Sequence, residues 1–92
     1  MTILKENVSF GDAIEAAKQG QVIARSGWNG KNMYLFYVHP EQWSYQVKPT
    51  ICNNHSRLPF IAMCTATGAV VPWLASQTDV LANDWTVLEP AE

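Results

Sequence analysis

The chain is organised around the stretch Arg25-Ser26-Gly27-Trp28-Asn29-Gly30-Lys31. Its two glycines allow a tight turn or a close approach of the backbone to a ligand, because neither carries a Cβ. A tryptophan is unusual in such a turn, and its flat ring either plugs a core or stacks on a planar group. The stretch also offers an amide and two positive charges. The pattern therefore indicates a small loop that holds a ligand.

Two apolar runs flank this loop and predict an antiparallel hairpin. The first run covers residues 21–25, and the second covers residues 33–38, Met-Tyr-Leu-Phe-Tyr-Val, which are rich in strand formers. Neither alternating face of the second run is polar. We therefore expect both faces to be covered, one by a helix and the other by a partner subunit or a ligand.

An amphipathic helix is predicted before the hairpin. Ser9 is a typical N-cap, and Asp12 follows at the spacing of a capping box. Apolar side chains then recur at helical spacing, at Phe10, Ala13, Ile14 and Ala17. Gly20 ends the pattern. We predict a helix at residues 10–19, after an extended segment or edge strand at residues 1–7.

The second half of the chain predicts three more strands and a short helix. Residues 58–65 and 69–73 form a hairpin, whose second strand ends or lies at an edge because Pro72 has no N–H. Ser76 and Asp79 repeat the capping-box spacing and open a helix. Asn83-Asp84 is interpreted as the end of this helix, and a last strand covers residues 85–88.

The predicted fold class is α+β. We expect a single domain over residues 1–92, in which one N-terminal helix packs on a mainly antiparallel sheet and a short second helix starts near Ser76. Residues 39–58 are irregular and long for a loop, which suggests a functional segment or an interface.

The composition suggests that apolar surface is buried between subunits. Hydrophobic residues make up 48% of the 92 residues and charged residues only 15%, against roughly 25% in typical soluble proteins. We therefore expect a homo-oligomer. No apolar run reaches the roughly 18 residues of a membrane span, and the first residues lack the apolar core of a signal peptide. We expect no membrane partner and a cytosolic location.

The charge distribution disfavours a nucleic-acid partner. The net charge is −2, whereas non-specific nucleic-acid binding needs a strong basic field. Five of the six basic residues nevertheless fall within residues 18–57. A locally basic middle suits a small phosphorylated ligand.

Enzyme and metal signatures are missing from the sequence. It contains no nucleophile elbow, phosphate-binding loop of the Walker type or zinc pattern. Cys52 and Cys64 are interpreted as free thiols, and His39 and His55 as ordinary histidines. A Cys52–His55 pair has no geometric support from its spacing alone. We expect no catalytic residue, no metal and no cofactor.

A second candidate cluster covers residues 72–79, Pro-Trp-Leu-Ala-Ser-Gln-Thr-Asp. The free N–H groups at a helix start suit phosphate, Trp73 offers a stacking surface, and Ser76, Gln77 and Thr78 offer hydrogen bonds. The alternative is purely structural: Ser76 and Asp79 cap their own helix, and Trp73 belongs to the core. The residue types leave both open.

Two blocks of the sequence resemble a family of small phage and prophage proteins, the Thoeris anti-defence proteins of the second type. The first block runs through residues 9–20 to Ala24-Arg25-Ser26-Gly27-Trp28-Asn29-Gly30-Lys31. The second is Val71-Pro72-Trp73-Leu74-Ala75-Ser76-Gln77-Thr78-Asp79, followed by Leu81-Ala82 and Asp84-Trp85. The resemblance covers most of residues 9–38 and 59–88.

The resemblance implies a sponge and not an enzyme. Members of that family sequester a cyclised ADP-ribose isomer (glycocyclic ADP-ribose), made by bacterial TIR-domain Thoeris defence proteins, so that the effector stays off. They are homo-oligomers, commonly tetramers, with ligand pockets between subunits. Some relatives also hold cyclic dinucleotides of CBASS defence at a separate site. The expected location is the cytoplasm of the infected bacterial host.

Because the resemblance implies a cyclic ADP-ribose ligand, each candidate residue can be given a role. Trp28 and Trp73 would stack on the adenine, and Arg25, with Lys31 second, would bind the pyrophosphate. The remaining candidates, Asn29, Thr78 and Asp79, would contact adenine edges and ribose hydroxyls, with Asp79 assigned to a ribose because it would repel a phosphate. Two other hypotheses stay open here: an enzyme that cleaves the same signal, and a structural or protein-binding phage accessory.

Overall fold

An antiparallel sheet is the frame on which the other elements pack. The computed structural model describes residues 1–28, 32–44 and 56–90. Within them, six strands pair in the order β1-β6-β2-β3-β4-β5, and every pairing is antiparallel. The strands are β1 (Thr2–Val8), β2 (Val22–Arg25), β3 (Tyr34–Val38), β4 (Phe60–Cys64), β5 (Val70–Pro72) and β6 (Trp85–Glu89).

The main helix, α1, spans Phe10–Lys18 and has well-defined ends. At its start, the Oγ atom of Ser9 accepts a hydrogen bond from the backbone N–H of Asp12 at 3.1 Å. At its end, Gly20 adopts a left-handed φ of +96° and donates its N–H to the carbonyl of Ala17 at 3.0 Å. The predicted helix is confirmed to within one residue.

Helix α1 covers one face of the sheet and forms the core with it. The strand register sets Ile23 beside Leu35 on β3 and beside Val87 on β6. Small side chains on the helix allow it to approach these residues closely. The fully buried cluster consists of Ala13, Ala17, Ile23, Leu35, Trp85 and Val87.

The second helix, α2, is short and spans Gln77–Leu81. It starts where predicted, because Ser76 and Asp79 form a reciprocal capping box. Before it, the β4–β5 hairpin turns at Gly68, whose φ of +89° favours glycine. Neither α-helix in the described residues is long and apolar enough to cross a membrane.

The sheet face opposite α1 carries a broad apolar groove. Side chains alternate along β3, so Phe36 lies on the face opposite to Leu35. The groove has a volume of about 680 Å³, and its lining includes Val22, Phe36, Val38, Phe60, Ala62 and Val70. The expected partner or ligand on this face stays a prediction.

The predicted α+β fold and the predicted strands are confirmed, with two changes of detail. The β5 strand is an edge strand that ends at Pro72, as expected. A 3-10 turn spans Pro40–Gln42 inside the segment expected to be irregular. Asp84 was interpreted as a helix end, which is wrong, because α2 ends at Leu81 and Asp84 pairs with Arg25.

Candidate functional site

Four aromatic side chains from distant parts of the chain converge beside α1 and α2. Phe10 begins α1, Trp28 follows the turn after β2, Trp73 follows β5, and Trp85 begins β6. The ring centroids of Trp28 lie 5.5 Å from Trp85 and 6.4 Å from Trp73, and Phe10 lies 5.3 Å from Trp85. The tryptophan pairs meet edge to face, a favoured arrangement at these distances.

Trp85 is the central residue of this aromatic cluster, and its ring contacts the other three rings. It is completely buried, and its indole Nε1–H donates to the backbone carbonyl of Asp79 at 2.9 Å. Trp28 and Trp73 pack against it, and both residues are half-buried. The sequence left open whether Trp28 plugs a core or faces a ligand. The structure allows both, because Trp28 packs against the core and is only partly buried.

The Asp79 carboxylate holds the cluster together. Its Oδ1 accepts from Nη1 of Arg25 at 2.8 Å and from the indole Nε1–H of Trp28 at 3.2 Å. Its Oδ2 accepts from the backbone N–H of Ser76 at 3.3 Å and from the Ser76 hydroxyl at 2.9 Å. These four bonds match the roughly four acceptor sites of a carboxylate. Desolvation opposes ionisation here, but the bonds from Arg25, Ser76 and Trp28 together lower the pKa of Asp79.

A second carboxylate, Asp84, binds the same arginine from the other side. Its Oδ1 accepts from Nε of Arg25 at 2.9 Å, and its Oδ2 accepts from the backbone N–H of Gly27 at 2.8 Å. The hydrogen bond from Arg25 is the main reason why the pKa of Asp84 is lowered. The same bonds, to Asp84 and then to Asp79, raise the pKa of Arg25.

The predicted site residues fall into three groups. The structure brings Arg25, Trp28, Trp73 and Asp79 together in one place. Thr78 lies beside them, exposed, with its hydroxyl 2.8 Å from the Ser76 Oγ atom. Asn29, like Lys31, lies outside the described residues. The roles assigned to these residues towards a ligand stay predictions.

Three residues of the site were missed or underestimated from sequence. Asp84 was given only a local role, although it binds a strand that lies 59 residues earlier in the chain. Trp85 was assigned to a strand, and Phe10 to a helix stripe, without a place in the cluster. The pairing of β2 with β6, which sets Arg25 opposite Trp85, is the missing information. No local motif reveals that pairing.

The arrangement suits a planar group better than a bare anion. Half-buried tryptophan rings present π-surface, whereas Arg25 faces two carboxylates at contact distance. Among these three charged side chains, one negative charge is in excess. No group of three or more His, Cys, Asp or Glu side chains with the geometry to hold a metal ion occurs in the part of the chain that the structure describes.

The comparisons with known proteins agree on one family. The model of the Thoeris anti-defense 2-like domain matches residues 8–88. The chain is also similar to a protein of Bacillus phage SP01 named Thoeris anti-defense 2. The two are 38% identical over 94 residues, which cover 92% of this chain and 99% of the relative. The matched region contains every residue of the aromatic cluster and both carboxylates, and the chain belongs to the Thoeris anti-defense 2-like family.

Proposed function

We propose that this protein is an anti-defence sponge. It binds and sequesters a cyclic ADP-ribose isomer, glycocyclic ADP-ribose, made by bacterial TIR-domain Thoeris defence, without cleaving it. The observation that carries the proposal is the aromatic cluster in which Trp28 and Trp73 pack on Trp85, with Trp28 hydrogen-bonded to Asp79. Family membership supports the anti-defence role.

The ligand's adenine fits the half-buried indoles. Stacking of a base on an aromatic ring contributes roughly 1–3 kcal/mol, and Trp28 and Trp73 are the two half-buried indoles of the cluster. Their positions are set by hydrogen bonds and by packing before any ligand arrives. A preformed site loses little conformational freedom on binding, which favours tight sequestration.

Polar contacts to the ligand are more restricted than the residue types suggest. Arg25 uses Nε and Nη1 for the two carboxylates. Its Nη2 lies at the Gly27 backbone, 3.4 Å from where a Cβ would stand, and we assign the pyrophosphate to this nitrogen, with Lys31 as a second cation. Asn29 and the exposed hydroxyl of Thr78 are assigned to adenine edges and ribose hydroxyls.

We assign Asp79 to a ribose hydroxyl, which would have to replace one of the hydrogen-bond donors that Asp79 already has. Each of its carboxylate oxygens already accepts two hydrogen bonds. The Ser76 hydroxyl is the partner most easily released, because it has a second neighbour in the Thr78 hydroxyl at 2.8 Å. A ribose hydroxyl that replaced it would preserve the bonds to Arg25 and Trp28.

We further propose that the chain forms one sponge domain over residues 1–92 that works as a homotetramer in the cytoplasm of the infected host. The apolar groove opposite α1 is the surface that a second copy of the chain would cover. Ligand pockets between subunits, and a separate site for cyclic dinucleotides of CBASS defence, complete this proposal. No cofactor, nucleic acid or membrane has a role in it.

The experiment is a calorimetric titration of the protein with the cyclic ADP-ribose isomer produced by a TIR enzyme. The complex is then heat-denatured, and the released ligand is identified by chromatography. We expect tight binding and full recovery of intact ligand. Recovery of a cleaved product would make the protein an enzyme. A protein whose melting temperature no cyclic nucleotide raises at saturation would be a structural or protein-binding accessory.

Substitution of Trp28 tests the cluster directly. Trp28→Ala should weaken ligand affinity by about tenfold to a hundredfold, since it removes one stacking surface. Trp28→Phe is the matched control, because it keeps an aromatic face and loses only the hydrogen bond to Asp79. The phenylalanine variant should retain most of the affinity. Equal losses in both variants, or unfolding of the alanine variant, would show that Trp28 is needed for the core and not for the ligand.

A further inference from the structure

We propose that Asp84 is a positioning residue for the ligand site. It fixes the turn of residues 25–28 in the conformation that presents Trp28, and ligand affinity depends on that fixed turn. The inference deepens the proposed function and rests on it for its statement about affinity.

Asp84 contacts the turn through three acceptor atoms. The carboxylate Oδ1 accepts from Nε of Arg25 at 2.9 Å, and Oδ2 accepts from the backbone N–H of Gly27 at 2.8 Å. The backbone carbonyl of Asp84 accepts from the N–H of Ser26 at 3.1 Å. Asp84, which immediately precedes β6, therefore binds three consecutive residues of the turn.

Gly27 fits this carboxylate closely. A Cβ at this position would stand 2.8 Å from Oδ2 of Asp84, a distance at which one of the two groups must move. The residue that follows, Trp28, closes the turn by donating its N–H to the carbonyl of Arg25 at 3.3 Å. The backbone of Trp28 is thus set by bonds within the turn, and the turn is set by Asp84.

The two carboxylates have different tasks at the site. Asp79 binds the indole of Trp28 itself, whereas Asp84 binds the backbone that carries it. Arg25 lies between them and bonds to both. Without the Asp84 carboxylate, the indole would have to be ordered when ligand binds, and that ordering would weaken affinity.

The test compares Asp84→Asn with Glu15→Gln. Both variants replace a carboxylate of an ion pair by its amide, but Glu15 lies on the exposed side of α1, paired with Lys18 at 3.3 Å. Two quantities are measured: the exchange rate of the Gly27 amide by NMR without ligand, and the affinity for the cyclic ADP-ribose isomer by calorimetry. In Asp84→Asn we expect Gly27 exchange to rise and affinity to fall, each by about tenfold, the effect of one lost charge-assisted hydrogen bond. Glu15→Gln should change neither.

A role limited to stability would give a different pattern. It would raise the exchange of core amides such as those of Ile23 and Val87 together with that of Gly27. The proposal requires Gly27 exchange to rise by a larger factor than the exchange of these core amides, whose rise reports only the loss of global stability. A freely exchanging Gly27 amide with full affinity in Asp84→Asn would overturn it, and so would a Gly27 amide that stays protected in Asp84→Ala, which leaves no side-chain acceptor.

A second variant covers the case in which Asp84→Asn does not fold. Asp84→Glu keeps the charge for Arg25 but moves the carboxylate by one methylene, so Gly27 exchange should rise while the ion pair survives. Unchanged exchange at Gly27 in this variant would overturn the proposal. If the unchanged protein fails to bind the ligand, the proposed function is wrong, whereas the exchange data still decide whether Asp84 holds the turn.

Discussion

At the scale of single residues, Gly27 makes the clearest prediction. Gly27→Ala introduces a Cβ 2.8 Å from Oδ2 of Asp84, so the carboxylate must withdraw and its bond to the backbone is lost. We expect a destabilisation of about 1 kcal/mol, the net value of one such bond, and weaker ligand binding. Urea unfolding followed by tryptophan fluorescence measures the first quantity, and calorimetry the second.

Gly11→Ala is the matched control for this substitution. Gly11 lies inside α1, and a Cβ there would meet only the Ser9 Oγ atom at an ordinary 3.9 Å. Alanine should therefore stabilise the helix by about 0.5–1 kcal/mol and leave affinity unchanged. Opposite signs in the two variants would tie the Gly27 effect to the carboxylate. Equal stabilisation in both would contradict the structure.

The residue types indicated several side chains that the structure brings together, but not which of the charged side chains pair with each other. Trp28 was identified as a candidate stacking surface because a tryptophan is unusual in a turn, and Trp73 because it stands just before a helix start. Arg25 was assigned to a pyrophosphate, yet it is paired with Asp79 and Asp84, which are 54 and 59 residues away in the chain. A guanidinium and its partners can be matched from sequence only when the strand order is known, and that order depends on the whole sheet.

At the scale of elements, the ion pairs make the attachment of α2 sensitive to pH. Hydrogen bonds from Arg25 lower the pKa of Asp84, and they help to lower the pKa of Asp79 against the desolvation that opposes it. A carboxylate whose pKa is lowered on folding stabilises the fold fully above its unfolded pKa of about 3.9. That stability is lost as the pH falls through the folded pKa. We expect the melting temperature to fall steeply below about pH 4.

The contribution of Asp84 to this pH dependence is obtained by comparing the melting temperatures of Asp84→Asn and the unchanged protein. Asp84→Asn should be less stable than the unchanged protein at neutral pH, and the two melting temperatures should converge as the pH falls through the lowered pKa of Asp84, where the aspartate is protonated too. Glu15→Gln changes an exposed pair of little energetic value. Its melting curve should run parallel to that of the unchanged protein. A constant difference between Asp84→Asn and the unchanged protein at every pH would mean that ionisation of Asp84 does not stabilise the fold.

Elements could be predicted from sequence because their signals are local. The start of each helix was marked by an N-cap serine with an aspartate three residues later. The end of α1 was marked by Gly20. The short β5 strand was expected at an edge because of Pro72. The insertion of β6 between β1 and β2 was not predicted, since no local pattern distinguishes which of the apolar strands pair.

At the scale of the whole molecule, the apolar groove on the sheet face opposite α1 is the feature that points to a further contact. The sequence of β3 has apolar side chains on both faces, and α1 covers only one of them. The groove of about 680 Å³ on the other face is large enough for a ligand or for side chains of another subunit. A low share of charged residues favours the second, which is the basis of the proposed oligomer.

Phe36→Lys tests this proposal, because Phe36 lies on the open face and its ring lines the groove. A lysine there would need its charge desolvated at a subunit interface, so the oligomer should dissociate. Light scattering coupled to size-exclusion chromatography gives the mass. Val70→Lys, at a position 63% exposed on the edge strand of the same groove, tests the face with little risk to folding. Leu81→Lys, on the exposed side of α2 with 74% exposure, is the control and should leave the mass unchanged. If Leu81→Lys dissociates the oligomer while the two groove variants do not, the subunits meet on the helical side, and the open face must bind something else.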